Sequence, residues 1–192
     1  MPLGPLTTRS LQSGLEATMS VTRGVGYVHI FIITIPKSQF YTMQTNVTQA
    51  GFHSIIMDTY FNQLSLLYSA GARSFVLLTV PPIDRAPLFL SQGRAVTKAV
   101  DAAVKDYNKQ LNQRAEKFAQ TNRGASVRVY ETATIFNTVL DNGKQLGYVN
   151  VTGYAEPYAN GIAGTNAQVE GYAPVSSYFW LNSLHPVWPF HA

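Results

Sequence analysis

Apolar positions follow two rhythms along this chain. Continuous β-branched and aromatic runs occupy residues 27–35 and 73–80, and each stops at proline, Pro36 and Pro81-Pro82. Such runs predict strands buried on both faces. Elsewhere the apolar residues return every three or four positions. Ile56, Tyr60, Leu64 and Leu67 predict a helix over about 52–70, with Gly71 as its C-terminal cap. Val96, Val100, Val104, Tyr107, Leu111 and Phe118 predict a longer helix over about 94–120, with Lys98, Lys105, Lys109, Glu116 and Lys117 mostly off that stripe. Residues 125–130 alternate and predict a strand nearer a sheet edge. Residues 132–140 predict a short helix stopped near Asn142-Gly143. Strand, helix, strand, helix, strand, helix is the order of an α/β protein with a parallel sheet. Three strands make a thin sheet, so the expectation is one short of its first strand.

The remaining segments lack a period. Residues 1–24 read as an irregular N-terminal segment. Residues 37–51 read as an exposed loop carrying the sequon Asn46-Val47-Thr48. Residues 81–87, rich in proline, read as a stiff loop at a strand's C-terminal end, where open α/β sheets bind ligands. Residues 144–177 are rich in Gly, Tyr, Asn and Pro. Two readings stand side by side there: a sugar-binding cleft lined by Tyr148, Tyr154, Tyr158 and Tyr172, or an irregular surface excursion.

Composition narrows the class. A chain of 192 residues suits one domain with a real core, and 46% apolar against 12% charged residues excludes disorder. The net charge of +4 is scattered, with no basic run, so no nucleic-acid partner is expected. There is no cysteine, which excludes disulfides, thiolate metal sites and a cysteine nucleophile. His29, His53, His185 and His191 show no metal-ligand spacing, so no metal is expected. The stretch 27–35 is too short to span a bilayer, and no leader-like apolar core precedes it. A second sequon, Asn150-Val151-Thr152, joins the first. Sequons without a leader suit an extracellular chain that lacks its true N-terminus.

The chemistry gathers at Tyr178-Phe179-Trp180-Leu181-Asn182-Ser183-Leu184-His185-Pro186. Pro186 biases His185 toward extended backbone, and an imidazole held on a loop is the usual general base of ester hydrolysis. The spacing resembles the Asp-x-x-His-Pro block that closes SGNH (GDSL) esterases, with Asn182 at the position of the aspartate. Residues 70–87, from Ala70-Gly71-Ala72-Arg73 through the buried strand to Pro81-Pro82, resemble a second segment of that family. The long helix with Tyr107-Asn108, Leu111 and Asn112, followed by Val129-Tyr130-Glu131-Thr132, resembles a third. Together they are similar to the fungal acetylesterases of carbohydrate esterase family sixteen, over roughly residues 52–190.

The resemblance implies a flavodoxin-like three-layer sandwich with a parallel sheet, and a partial hydrolase domain over 25–192. It implies hydrolysis by a serine, of a small ester or an acetylated carbohydrate, without cofactor. His185 is the implied catalytic base and Asn182 its implied orienting partner. The chain departs from the family in three places. It has neither the N-terminal Gly-Asp-Ser block nor a Gly-x-Ser-x-Gly elbow. Thr34-Ile35-Pro36-Lys37-Ser38 stands where a Gly-x-Asn-Asp block is expected. An amide at 182 stabilises an imidazolium less than a carboxylate does and can favour the wrong tautomer. The nucleophile is therefore unassigned, with Ser13, Ser38 and Ser183 as stand-ins and Asp84 as a substitute acid. Three readings follow: a working esterase, a catalytically incomplete scaffold or sugar-binding surface, and, ranked last, a nucleotide binder. The last needs a Gly-rich turn where Pro36-Lys37-Ser38 stands.

Overall fold

The computed structural model describes the backbone of residues 18–21 and 28–31, and all of residues 47–160 and 167–187. Strands β1 (Thr18–Val21) and β2 (Val28–Phe31) pair antiparallel, Thr18 opposite Phe31 and Val21 opposite Val28. Within residues 1–24, read as irregular, residues 18–21 thus form a strand, and the others lie outside the described residues. Four residues of mixed polarity carry too short a pattern to announce a strand, and the partner supplies the definition. Ser13, Ser38, Asn46, His191, the Pro36-Lys37-Ser38 turn and the side chain of His29 lie outside the described residues.

The chain divides into two compact units. The first takes residues 1–79 and 106–130, the second residues 80–105 and 131–192. Helix α1 (Gln49–Ser69) and strand β3 (Ser74–Leu78) belong to the first. After a 3-10 turn (Ile83–Arg85) and the one-turn helix α2 (Pro87–Leu90) comes α3 (Arg94–Thr121), which contributes to both units. Strand β4 (Ser126–Tyr130) returns to the first unit and α4 (Thr132–Asp141) opens the rest of the second.

In the first unit β3 and β4 pair parallel, Ser74 opposite Ser126 through Leu78 opposite Tyr130. A parallel pair needs a long crossover, here the segment holding α2 and α3. Phe75 and Leu77 are buried while β4 alternates between half-buried and exposed, in keeping with its edge-like sequence. Phe118 is the aromatic hub, edge-on to Phe75 at 5.3 Å and to Tyr68 at 6.3 Å. Phe52, Ile56, Met57, Tyr60 and Leu64 of α1 are buried, as are Tyr107, Leu111 and Ala115 of α3. Burying each large apolar side chain contributes about 1.5–3 kcal/mol.

Polar clamps fix the pairing of these helices. Arg114 pairs with Asp58 and donates to Ser54 Oγ at 2.9 Å. His53, buried at 1% exposure, places Nδ1 2.6 Å from Asp106 Oδ2 and meets Tyr107 edge-on. Gln110 also donates to Asp106 Oδ2, at 2.9 Å, and to the Ala50 carbonyl at 3.0 Å. Removing Asp106 would leave the buried Nδ1 of His53 without its partner. This buried histidine is therefore a structural pin.

In the second unit Phe179 is the hub, edge-on to Phe136, Tyr148 and Trp180 with centroids 4.9–5.7 Å away. A smaller cluster of Ala155, Tyr158, Val175 and Val187 underpins the loops. Gly143 is buried where a β-carbon would fall 2.3 Å from Val151 Cγ1, so the turn after α4 packs this closely only with glycine. Among the described residues no helix is long and apolar enough to cross a membrane.

Candidate active site

His185 sits at the base of a closed five-residue loop. Leu181 N donates to the His185 carbonyl at 2.8 Å, and Val187 N to the Phe179 carbonyl at 2.9 Å. Trp180 and Pro186 therefore face each other as a non-hydrogen-bonded antiparallel pair. That is the register position at which a missing N–H costs nothing, which explains how proline fits here. The loop is anchored from beneath. Phe179 and Trp180 are buried at 0% and 1% exposure, and Trp180 Nε1–H donates to the Val151 carbonyl at 2.8 Å. Phe179 N donates to the Asn150 carbonyl at 3.0 Å, and Val149 N to the Ser177 carbonyl at 2.8 Å.

Asn182 closes the loop. Its Oδ1 accepts from Leu184 N at 3.0 Å and from His185 N at 2.9 Å, and lies 3.0 Å from His185 Nδ1. The imidazole itself is exposed. The ring is held at Nδ1 while the residue remains open to solvent. The structure thus brings together the two residues the sequence singled out.

The other candidates fall differently. Ser183, beside His185, is half-buried, and its carbonyl accepts from Leu88 N at 2.8 Å, tying the loop to α2. The His185 ring bonds Asn182 and has no hydroxyl partner among the described residues. Asp84 lies in the 3-10 turn with Asp101, Arg85 and Lys105 as its charged neighbours, and the bond at Nδ1 belongs to Asn182. Arg85 is in turn held by Asn137 at 2.8 Å and Asp141 at 2.7 Å. Partial burial, then the nearby Asp101 carboxylate, pushes the Asp84 carboxyl above its ordinary value.

A carboxyl raised in the folded state opposes folding while ionised. The cost is full at neutral pH, where both states are ionised, and it fades as pH falls through the raised folded value toward the unfolded one. Asp84→Asn is therefore expected to raise the urea midpoint at pH 7 and to lose that advantage below the ordinary carboxylate range. An equal gain at both pH values would show that charge is not the cause.

The tyrosines of 144–177 divide as well. Tyr158 is a core pillar at 1% exposure, donating to the Ala173 carbonyl at 2.8 Å and accepting from Val169 N at 3.0 Å. Tyr148 is half-buried against Phe179. Tyr172 packs on Tyr158 and remains 40% exposed. Asn150, the sequon residue, accepts through Oδ1 from Thr152 N at 2.9 Å and Gly153 N at 2.8 Å, so it builds a turn like that of Asn182. Among the described residues no three His, Asp or Glu side chains gather as a metal site.

Comparison with known proteins gives the class: the chain belongs to the GDSL-type esterase family. Its particular likeness is to an acetylesterase of Thermothelomyces thermophilus, 44% identical over 132 residues, which is 68% of this chain and 38% of that protein. Two GDSL esterase/lipases of Arabidopsis thaliana are 26% and 24% identical over 157 residues, 77% of this chain and 42% of each relative. The chain thus spans about two fifths of the length of these relatives. No family profile matches it.

Proposed function

We propose that this chain carries the histidine end of an esterase site and acts on small esters or acetylated carbohydrate outside the cell. The supporting observation is the exposed His185 ring held at Nδ1 by Asn182 on a loop anchored in the core. In the chemistry this arrangement suits, a serine oxygen attacks the ester carbonyl while His185 Nε2 takes its proton. The imidazolium then gives that proton to the departing alkoxide, and water cleaves the acyl-serine by the same route. The sandwich of the family and the sugar acetyl group of carbohydrate esterase family sixteen belong to this reading. The acetylesterase relative supports it.

A second reading has its own observation. The His185 ring has no hydroxyl partner among the described residues, as a scaffold retained without catalysis would show. A fluorophosphonate, which bonds only an activated serine, separates the two. The esterase reading expects one labelled serine peptide and a proportional loss of hydrolysis of a chromogenic acetate. A folded chain that neither labels nor hydrolyses leaves the scaffold reading.

A further inference from the structure

We infer that Asn182 is a positioning residue that locks neutral His185 in the Nδ1–H tautomer, so that an amide here keeps the base in working form. The inference rests on the esterase reading for its purpose, but the lock stands on geometry alone.

Amide oxygen and nitrogen differ in what they can bond. Oxygen only accepts, and the amide nitrogen only donates. At Asn182 the oxygen is identified by two backbone donors, Leu184 N at 3.0 Å and His185 N at 2.9 Å. Backbone N–H groups cannot accept, so turning the amide over would set its NH₂ against both of them. The same oxygen is 3.0 Å from His185 Nδ1. An acceptor at that distance requires a donor, so Nδ1 carries the proton. In the neutral ring Nε2 then holds the free lone pair, as a general base must.

A rotatable asparagine in this role can instead present its NH₂ to Nδ1 and force the proton onto Nε2, the defect behind the ~10⁴-fold loss in the serine-protease example. A free histidine side chain in water also favours Nε2–H. The loop opposes both tendencies with bonds that come from the backbone of residues 184 and 185 and need no charge. What the amide lacks is the carboxylate's attraction for the imidazolium. Its one oxygen also meets three donors with two lone pairs, so the Nδ1 bond is shared.

The test reads the tautomer directly. Long-range proton–nitrogen correlation of chain labelled with ¹⁵N-histidine, above the imidazole titration, identifies Nε2 by its coupling to both ring protons. His185→Gln assigns the signal. The expected result is an unprotonated, deshielded Nε2 in the parent, and an Asn182→Ala variant whose tautomer ratio moves by about tenfold toward Nε2–H, the worth of one hydrogen bond. Asn182→Asp should keep the parent pattern, which guards against loss of the loop in the alanine variant. Dominant Nε2–H in the parent would overturn the inference. So would a folded Asn182→Ala chain with the parent ratio. Because this readout involves no turnover, a correct tautomer with no fluorophosphonate labelling would sink the esterase reading and leave the lock intact.

Discussion

Alanine at position 185 is expected to lower hydrolysis of a chromogenic acetate by about 10²–10⁴-fold, the usual worth of a positioned general base. Stability should stay within about 0.5 kcal/mol of the parent, because surface side chains away from special features contribute little. The ring is exposed and its hydrogen bond goes to Asn182. Asn182 keeps its two backbone donors when the ring is removed, so the loop should persist. The two readouts together make the result specific. Loss of turnover with an unchanged urea midpoint assigns the chemistry to the imidazole. Undiminished turnover would remove His185 from the mechanism and with it the reading of this loop as the histidine end of the site. Loss of both would mean that the ring supports the fold, against its exposure.

Much of this architecture could be read from the residues. The long helix predicted over 94–120 is Arg94–Thr121, because its apolar stripe runs unbroken between Gly93 and Gly124. The strand predicted over 73–80 is Ser74–Leu78, bounded by the turn at Gly71 on one side and prolines on the other. The start of α1 was harder to see. Thr48 reads as the last residue of a sequon, yet it is the N-cap, accepting from Gly51 N at 3.1 Å. One threonine satisfies both patterns, and only the first was legible. His53 was missed as a core residue because its partner Asp106 lies on another helix 53 positions away. Pairings between elements leave no periodic trace.

The site divides the same way. Three-residue spacing was enough to bring Asn182 and His185 together, since a tight loop keeps near neighbours near. The choice between oxygen and nitrogen at Nδ1 was not legible. It depends on the direction of two backbone N–H bonds, which side-chain identities do not encode. The tyrosines of 144–177 were ambiguous for a related reason. Tyrosine suits both a wet cleft and a core that can satisfy its hydroxyl, and at Tyr158 the backbone of Val169 and Ala173 provides the second.

The largest loss of stability is expected from Trp180→Ala. The side chain is 1% exposed and packs edge-on against Phe179 at 4.9 Å. Truncating a buried tryptophan costs about 3–5 kcal/mol, a large share of the ~5–15 kcal/mol that holds a domain together. Trp180→Phe separates the contributions. Most of the ring's volume remains, but the Val151 carbonyl loses the indole donor that now lies 2.8 Å away. A loss of about 1–3 kcal/mol follows if that carbonyl stays buried without a partner. Urea unfolding followed by far-UV circular dichroism checks both values. Trp180 opposes Pro186 directly, so its removal takes away one wall of the hairpin that presents His185. The alanine variant should therefore also weaken the Asn182 lock, moving the His185 tautomer ratio toward that of free histidine. A Trp180→Ala cost under about 1 kcal/mol, well below the range for a buried aromatic, would mean that the loop is not anchored in the core. The preorganisation argued for His185 would then lose its physical basis.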